Sequence, residues 1–469
     1  MSLPQDNTTP LDYRSFLATK AVTVPLRGMS EVPPLAEHLF KFQRSAVEFG
    51  LRAGSWGLFF DTGLGKTACE LEWCRHAATA SNGYALILTP LAVARQIEAE
   101  GRRWGYEAHV IREQSEARPG ISICNYDRLH KLDPQAFGAI ALDEASILKS
   151  FNGKTTRSLI ELFAGHRWRM AATATPAPND HMELGQYSEF LGIMPSNEML
   201  MRWFITDQTE MGKYRLKGHA VHSFWDWMSS WCRMAERPAD MGDDMTGFDL
   251  PPLKVTRHRA LGVATVDGEL FGDLQLSATD MHKVKRQTAA SRAAVVGSLV
   301  RGTSDPWVVW CDTDYEANAL ISELSGESFV EVRGSHTADR KEADLASFSA
   351  GTARVIVSKP SVAGFGLNWQ HCANVAFVGR SFSYESWYQA VRRCWRFGQQ
   401  SEVKVHVVVA DGEDSIGRVL DRKGDDHARM KSEMVAAMRR ANSTDSSRKI
   451  AYQADYSAQL PNWMRARVA

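Results

Sequence analysis

The chain has no excess of charge of either sign: Lys+Arg and Asp+Glu number 55 each in 469 residues. The whole molecule therefore carries no electrostatic bias toward a polyanion, and any grip on nucleic acid must come from local clusters. Its seven cysteines occur singly, without C-x-x-C spacing or a histidine partner at metal-ligand spacing. That argues against a disulfide framework and a zinc site, and for thiols in a reducing cytosol. No apolar run reaches the ~20 residues of a membrane span. No signal peptide is recognisable, so secretion and membrane insertion are disfavoured and a cytoplasmic location is expected. Hydrophobic content of 44% and charged content of 23% describe an ordinary globular chain. Its length suggests two or three domains at about 150 residues each.

What the chain does have is a run of phosphate chemistry. The heptapeptide DTGLGKT occupies residues 61–67. Gly63 and Gly65 let the backbone turn tightly around Thr62 and Leu64, so that successive N–H groups can point at a triphosphate. A helix expected over 68–78 adds its positive N-terminal end. Lys66 would reach the β/γ oxygens, and the Thr67 hydroxyl would ligate Mg²⁺. An apolar strand is expected over 57–60, and Phe60 stands where the general G-x-x-x-x-G-K-[ST] pattern has glycine.

An apolar run, 139–142, then ends at Asp143 and Glu144. Adjacent acids at the carboxyl end of a buried strand are costly unless a cation or a bound water employs them. Asp143 would hold Mg²⁺, and Glu144 would orient and deprotonate the water that attacks the γ-phosphate. TATP follows at 173–176 and QAVRRCWRFGQ at 389–399. If 385–396 is helical, Arg393 and Arg396 lie three apart on one face. Mobile arginines that reach a transferring phosphoryl group are worth about 10³ to 10⁵ in rate.

These motifs, in this order, resemble the superfamily-two helicases and specifically their Swi/Snf-like DNA translocase branch. Residues 39–43 are similar to the family's Q motif, which implies that Gln43 reads the adenine edge with Phe42 nearby. D-x-G-L-G-K-T after an apolar residue is the branch's own phosphate loop. The resemblance implies nucleic-acid backbone contacts for Thr89, Pro90 and Tyr126. Asp143 to Ser146 resembles the DEAH-type box with serine in place of histidine. Thr173 and Thr175, with Pro176 and Asn179, resemble the T-G-T-P-x-x-N coupling segment. In the second half, Gly334 and Ser335 with Arg340 and Phe348 resemble the G-S-T…R…F block. Residues 363–368, including Gly366 and Asn368, resemble G-G-x-G-L-N. Gln389, Arg393, Arg396, Gly398 and Gln399 resemble Q-x-x-x-R-x-x-R-x-G-Q.

The resemblance implies an α/β fold of two tandem RecA-like lobes, each a mostly parallel sheet with helices on both faces. ATP and Mg²⁺ would be the cofactors and DNA, duplex or single-stranded, the partner; protein partners are not legible. Hydrolysis would occur when the second lobe brings Arg393 and Arg396 to the first, and one cycle of closing and opening would advance the motor. The compactness is compatible with a viral or bacterial member. Two other readings are an RNA helicase of the same superfamily, which usually shows H-x-x-G-R-x-x-R in the last motif, and a non-motor adaptor switched by ATP.

Apolar strands alternate with helices in both halves, which implies parallel sheets with covered faces. Strands are expected over 84–88, 121–124, 140–142 and 170–172, then 307–310, 355–357, 375–378 and 403–409. The organisation expected is an N-terminal arm (1–35), an ATP-binding lobe (36–190), a helical insertion or linker (191–260), a second lobe (261–424) and a tail (425–469). The insertion is rich in Met and Trp, with Trp203, Trp225, Trp227 and Trp231; at helical spacing these read as packed core before they read as base-stacking surfaces. His282, Lys283, Lys285 and Arg286 read as a solvated basic face. The tail is expected to be helical to about residue 440.

Overall fold

The computed structural model describes residues 22–91, 93–150, 153–177, 180–206, 214–244, 247–260, 265–266, 269–270, 278–364, 367–381, 383–410, 414–443 and 449–450. The first lobe is a sheet of β1 (Ser55–Phe60), β2 (Tyr84–Thr89), β3 (Ala108–Val110), β4 (Gly120–Asn125), β5 (Ala139–Leu142), β6 (Trp168–Ala172) and β7 (Cys232–Ala235). The strand order is β7-β1-β6-β5-β2-β4-β3, and every pairing is parallel. A parallel sheet needs helical crossovers, which cover both faces. β5 shows the consequence in sequence: Ile140 and Leu142 enter one apolar cluster, while Ala139 and Ala141 enter the other. The helices used below are α1 (Lys41–Ala53), α2 (Lys66–Thr79) and α3 (Val221–Ser229).

The second lobe repeats the scheme with β8 (Leu253–Arg259), β9 (Trp307–Trp310), β10 (Phe329–Val332), β11 (Val355–Ser358), β12 (Asn374–Phe377) and β13 (Val403–Val409). The order is β8-β13-β12-β9-β11-β10, again all parallel. Val308 and Trp310 of β9 face one core, Trp307 and Val309 the other. Two helices of this half matter for the site, α4 (Tyr384–Val391) and α5 (Asp414–Ser443). Two RecA-like lobes in tandem are the architecture expected from the motifs.

The stretch 191–260 differs from a helical linker. β7 joins the first sheet beside β1, and β8 joins the second beside β13. Both are edge strands of mixed polarity, CRMA and LKVTRHR, so neither shows the apolar run by which buried strands announce themselves. Its tryptophans are core. Trp225, Trp227 and Trp231 are buried, and Trp203 stacks on Trp227 with ring centroids 4.6 Å apart. Of the expected basic face, Lys285 is instead buried, paired with Asp312 at 2.7 Å and donating to Arg380 O at 2.7 Å. All seven cysteines are free and buried. Among the described residues, no helix is long and apolar enough to cross a membrane, and no group of three His, Cys, Asp or Glu could hold a metal.

Candidate nucleotide site and inter-lobe seam

β1 ends at Phe60, and the chain turns through 61–65 before α2 starts at Lys66. Two glycines permit the turn. Gly63 has φ +92 and Gly65 φ +73, a region where L side chains are strained. Space is closed as well: a Cβ on Gly65 would lie 2.3 Å from Gln43 Nε2, and one on Gly63 would lie 2.9 Å from Phe397 N. Phe60 is buried against Phe42, ring centroids 5.6 Å apart, so the position is taken by a core aromatic. Lys66 Nζ donates to Phe60 O at 3.1 Å. Gln43 donates to Leu64 O at 2.9 Å and accepts from Phe40 N at 3.0 Å, which ties the loop to the start of α1. Thr62 is buried, and Thr67 is half-buried in the first turn of α2.

The acid pair lies at the end of β5, next to β2. Asp143 Oδ2 accepts from Thr89 Oγ1 at 2.7 Å, and Tyr126 donates to the Asp143 carbonyl at 2.7 Å. Thr89 and Tyr126 therefore brace the acid rather than present hydroxyls to an open surface. Burial, then the charge of Glu144, raises the Asp143 carboxyl to about 6, against the pull of Thr89 and Lys66. Glu144 is the one non-glycine residue among those described with positive φ, at +49. Such strain costs of order 1 kcal/mol and concentrates at functional sites. Its Oε2 is buried without a hydrogen-bond partner among the described residues. Behind the pair, Glu70 of α2 is buried with both oxygens unpartnered, and burial, then Asp143, holds its carboxyl well above the usual range. Burial lowers the Lys66 ammonium, opposed first by Glu144 and Asp61. A single strand-end acid, Asp143, with an orphaned Glu144 oxygen and one ammonium, fits a cation that is held chiefly by a phosphate chain and water.

Residues of the second lobe close this site. Arg393 is buried; it donates to Leu367 O at 3.1 Å and to Gln389 Oε1 at 2.7 Å. Arg396 donates to the same Leu367 carbonyl at 3.1 Å, and its Nε is unpartnered. Burial lowers the Arg393 guanidinium, and the acids that oppose this are Glu144 and then Asp143. Arg396 is pushed down to about 10 by burial and by Arg393. The two do not share a helix face. α4 ends at Val391; beyond it the chain turns through 392–398, and the Arg393 carbonyl accepts from Trp369 N at 3.0 Å. The second lobe also reaches Thr175 directly. Gln389 Nε2 donates to Thr175 Oγ1 at 3.3 Å, and Thr175 donates to Glu385 Oε1 at 3.2 Å. Thr173 Oγ1 accepts from Thr175 N, and Glu385 also pairs with Lys149.

Beside the acids a cleft of about 630 Å³ opens between the lobes. Pro90, Tyr126, Ser146 and Lys149 line it from the first lobe, Gly334 and Lys341 from the second, with Glu144 at its wall. Ser335 follows Gly334 and is exposed; Asn368 is exposed and accepts from Gln370 N at 3.3 Å. Gly366 and Asn179 lie outside the described residues.

Residues 292–398 match the helicase conserved C-terminal domain family. The chain is 22% identical over 459 residues to the bovine (Bos taurus) SWI/SNF-related matrix-associated actin-dependent regulator of chromatin subfamily A-like protein 1, covering 87% of this chain and 47% of that one. The chain is thus similar over most of its length to a SWI/SNF-related protein, and part of its second half matches the helicase C-terminal domain. A segment of 79 residues is 38% identical to DNA repair protein RAD5 of Gibberella zeae, over 17% of this chain and 7% of that protein. The Sulfolobus solfataricus SWI2/SNF2 ATPase core in complex with dsDNA is 17% identical, with TM-score 0.39, over 88% of this chain and 97% of that one. The chain thus spans about half the length of the bovine relative.

The residues that the sequence motifs did not include are those holding the start of the phosphate loop. Arg392 donates to Thr62 O at 2.6 Å, and Tyr388 donates to Asp61 at 2.7 Å. Lys431 of α5 lies 3.3 Å from Asp61. The adjacent arginines at 392 and 393 were one available signal. A lysine on a polar C-terminal helix gave none.

Proposed function

We propose that this chain is an ATP-driven DNA translocase in which hydrolysis takes place at the seam between the two lobes. One observation carries the reading: Arg393 of the second lobe is buried under the influence of Glu144 and Asp143 of the first, while Glu385 and Gln389 from the same segment engage Thr175. The loop amides of Thr62 to Gly65 and the Lys66 ammonium would hold the β- and γ-phosphates. Thr67 and Asp143 would hold Mg²⁺, which when bound polarises the phosphoryl oxygens and neutralises their charge. Glu144, its free oxygen buried beside the cleft, would orient the attacking water and take its proton. Arg393 and Arg396 would stabilise the charge that develops on the transferring group, available only when the second lobe is docked.

The cleft supports the nucleic-acid side of the proposal. It runs from Glu144 past Pro90 and Tyr126 to Gly334 and Lys341, so a strand lying there would touch both lobes and the wall of the hydrolytic site. Thr175, gripped from the second lobe, would relay the state of the seam. DNA is favoured over RNA because the final motif is Q-x-x-x-R-x-x-R-x-G-Q, and because a chromatin regulator and a DNA repair protein are among the relatives by name. The deciding experiment measures ATP turnover with duplex DNA, single-stranded DNA and RNA, together with displacement of a third strand from duplex. Stimulation by duplex DNA with third-strand displacement supports translocation. Stimulation by RNA alone would assign the chain to RNA, and nucleotide binding without turnover on any nucleic acid would make it an adaptor.

A further inference from the structure

α5 leaves the second lobe after β13, and its first half stays there. Arg257 reaches Asp421 at 3.3 Å, and Gly424 lies against Tyr384, where an added Cβ would come within 3.1 Å of the ring. The second half belongs to the first lobe. Met430, Met434 and Ala437 are part of that lobe's apolar core. Trp225 donates to Glu433 at 2.7 Å, Arg439 pairs with Asp240 at 2.9 Å, and Arg440 pairs with Asp226 at 2.8 Å. Lys431 sits where this half begins. It is 3% exposed, and its Nζ lies 3.3 Å from Asp61 Oδ2, 3.4 Å from Glu236 Oε1 and 3.1 Å from the Tyr388 hydroxyl.

Asp61 opens the phosphate loop and is 8% exposed. Its carboxylate accepts from Thr62 N at 2.6 Å and from Tyr388 at 2.7 Å, and Arg392 stands 3.4 Å away. Tyr388 and Arg392 ride on the second lobe. When that lobe swings away they go with it, and Asp61 is left close to a second carboxylate, Glu236. Lys431 remains between the two, because the half of α5 that carries it is embedded in the first lobe. A buried charge stripped of its partner is strongly destabilising, so the loop would otherwise rearrange to hydrate Asp61. We propose that Lys431 is a positioning residue that compensates Asp61 while the seam is open and so keeps the phosphate loop shaped for the next nucleotide. This rests on reading the seam as an ATPase that opens and closes.

The test is amide hydrogen exchange of the full chain without nucleotide, followed by ADP affinity, for wild type, Lys431→Met, Lys431→Arg and the double variant that combines Lys431→Met with Asp61→Asn. Lys431→Met should speed exchange across residues 61–67 by about tenfold and weaken ADP by a similar factor, the scale of a buried charge left partly compensated. Exchange in α3 should stay unchanged, showing that α5 is still seated. Lys431→Arg should retain loop protection, and the double variant should regain it because the stranded charge is gone. Unchanged loop protection in Lys431→Met would overturn the proposal. So would equal loss in the single and double variants, or loss that spreads to α3, since either is a packing defect. Absence of duplex-stimulated turnover in wild type would remove the ATPase reading alone; the exchange comparison, made without nucleotide, would still decide what Lys431 does.

Discussion

Replacing Asp143 by asparagine should make the nucleotide-free protein more stable while abolishing its turnover. The carboxyl is raised from its usual 3.8 to about 6, first by burial and then by the neighbouring charge of Glu144. That difference corresponds to at most about 3 kcal/mol at pH values above both, at 1.36 kcal/mol per pH unit. The sign follows from proton binding. The folded carboxyl holds its proton more tightly than the unfolded one, so wild-type stability falls as pH rises through the folded value, and the deficit is complete by about pH 8. An asparagine at this position cannot ionise and has no such deficit, and its amide oxygen can still accept from Thr89. Thermal unfolding without nucleotide should therefore show the variant melting several degrees above wild type near pH 8, with the gap shrinking toward about pH 5. Mg²⁺–nucleotide should raise the melting point of wild type and not of the variant. A variant that melts at or below wild type near pH 8, or a gap of equal size at both pH values, would refute the idea that an uncompensated acid cluster is maintained here for a cation.

Lys66→Ala should abolish turnover with a native circular dichroism spectrum, because Nζ bonds the Phe60 carbonyl at the loop and packs into no core. Glu144→Gln should retain nucleotide and Mg²⁺ but not hydrolyse it, seen as a stable bound triphosphate by rapid filtration; near-normal turnover would reassign the base. Arg396→Ala should leave nucleotide affinity within a few-fold and cut the rate by about 10³ or more, whereas an equal loss of affinity would point to a binding role. Glu385→Gln removes the charge that pairs with Lys149 while keeping an acceptor for Thr175. It should lower DNA-stimulated turnover by about tenfold and leave the unstimulated rate nearly unchanged, since a charged hydrogen bond is worth about 1.5–3 kcal/mol.

Local pattern made most of the fold legible. Strands such as Tyr84–Thr89 and Trp307–Trp310 are apolar because parallel strands are buried on both faces, so composition announces them. β7 and β8 escaped for the complementary reason: they are edge strands of mixed polarity, and only pairing shows which sheet each joins. The helix expected over 385–396 stops early, at Val391, and the turn beyond it is held in part by a bond from Trp369, a residue distant in sequence.

By itself, the sequence determined the phosphate loop, the acid pair and the arginine motif, because each is a short-range arrangement whose chemistry needs particular residues at fixed spacing. It also determined that the loop and the acid pair sit at strand ends. Only the tertiary structure decided that Thr89 and Tyr126 brace Asp143, that Arg392 rather than Arg393 bonds the loop at Thr62, and that Lys431 reaches Asp61 from the far end of the chain. Those are long-range contacts of single charged or hydroxyl groups. No local period encodes them, and their partners are chosen by which lobe each helix packs into.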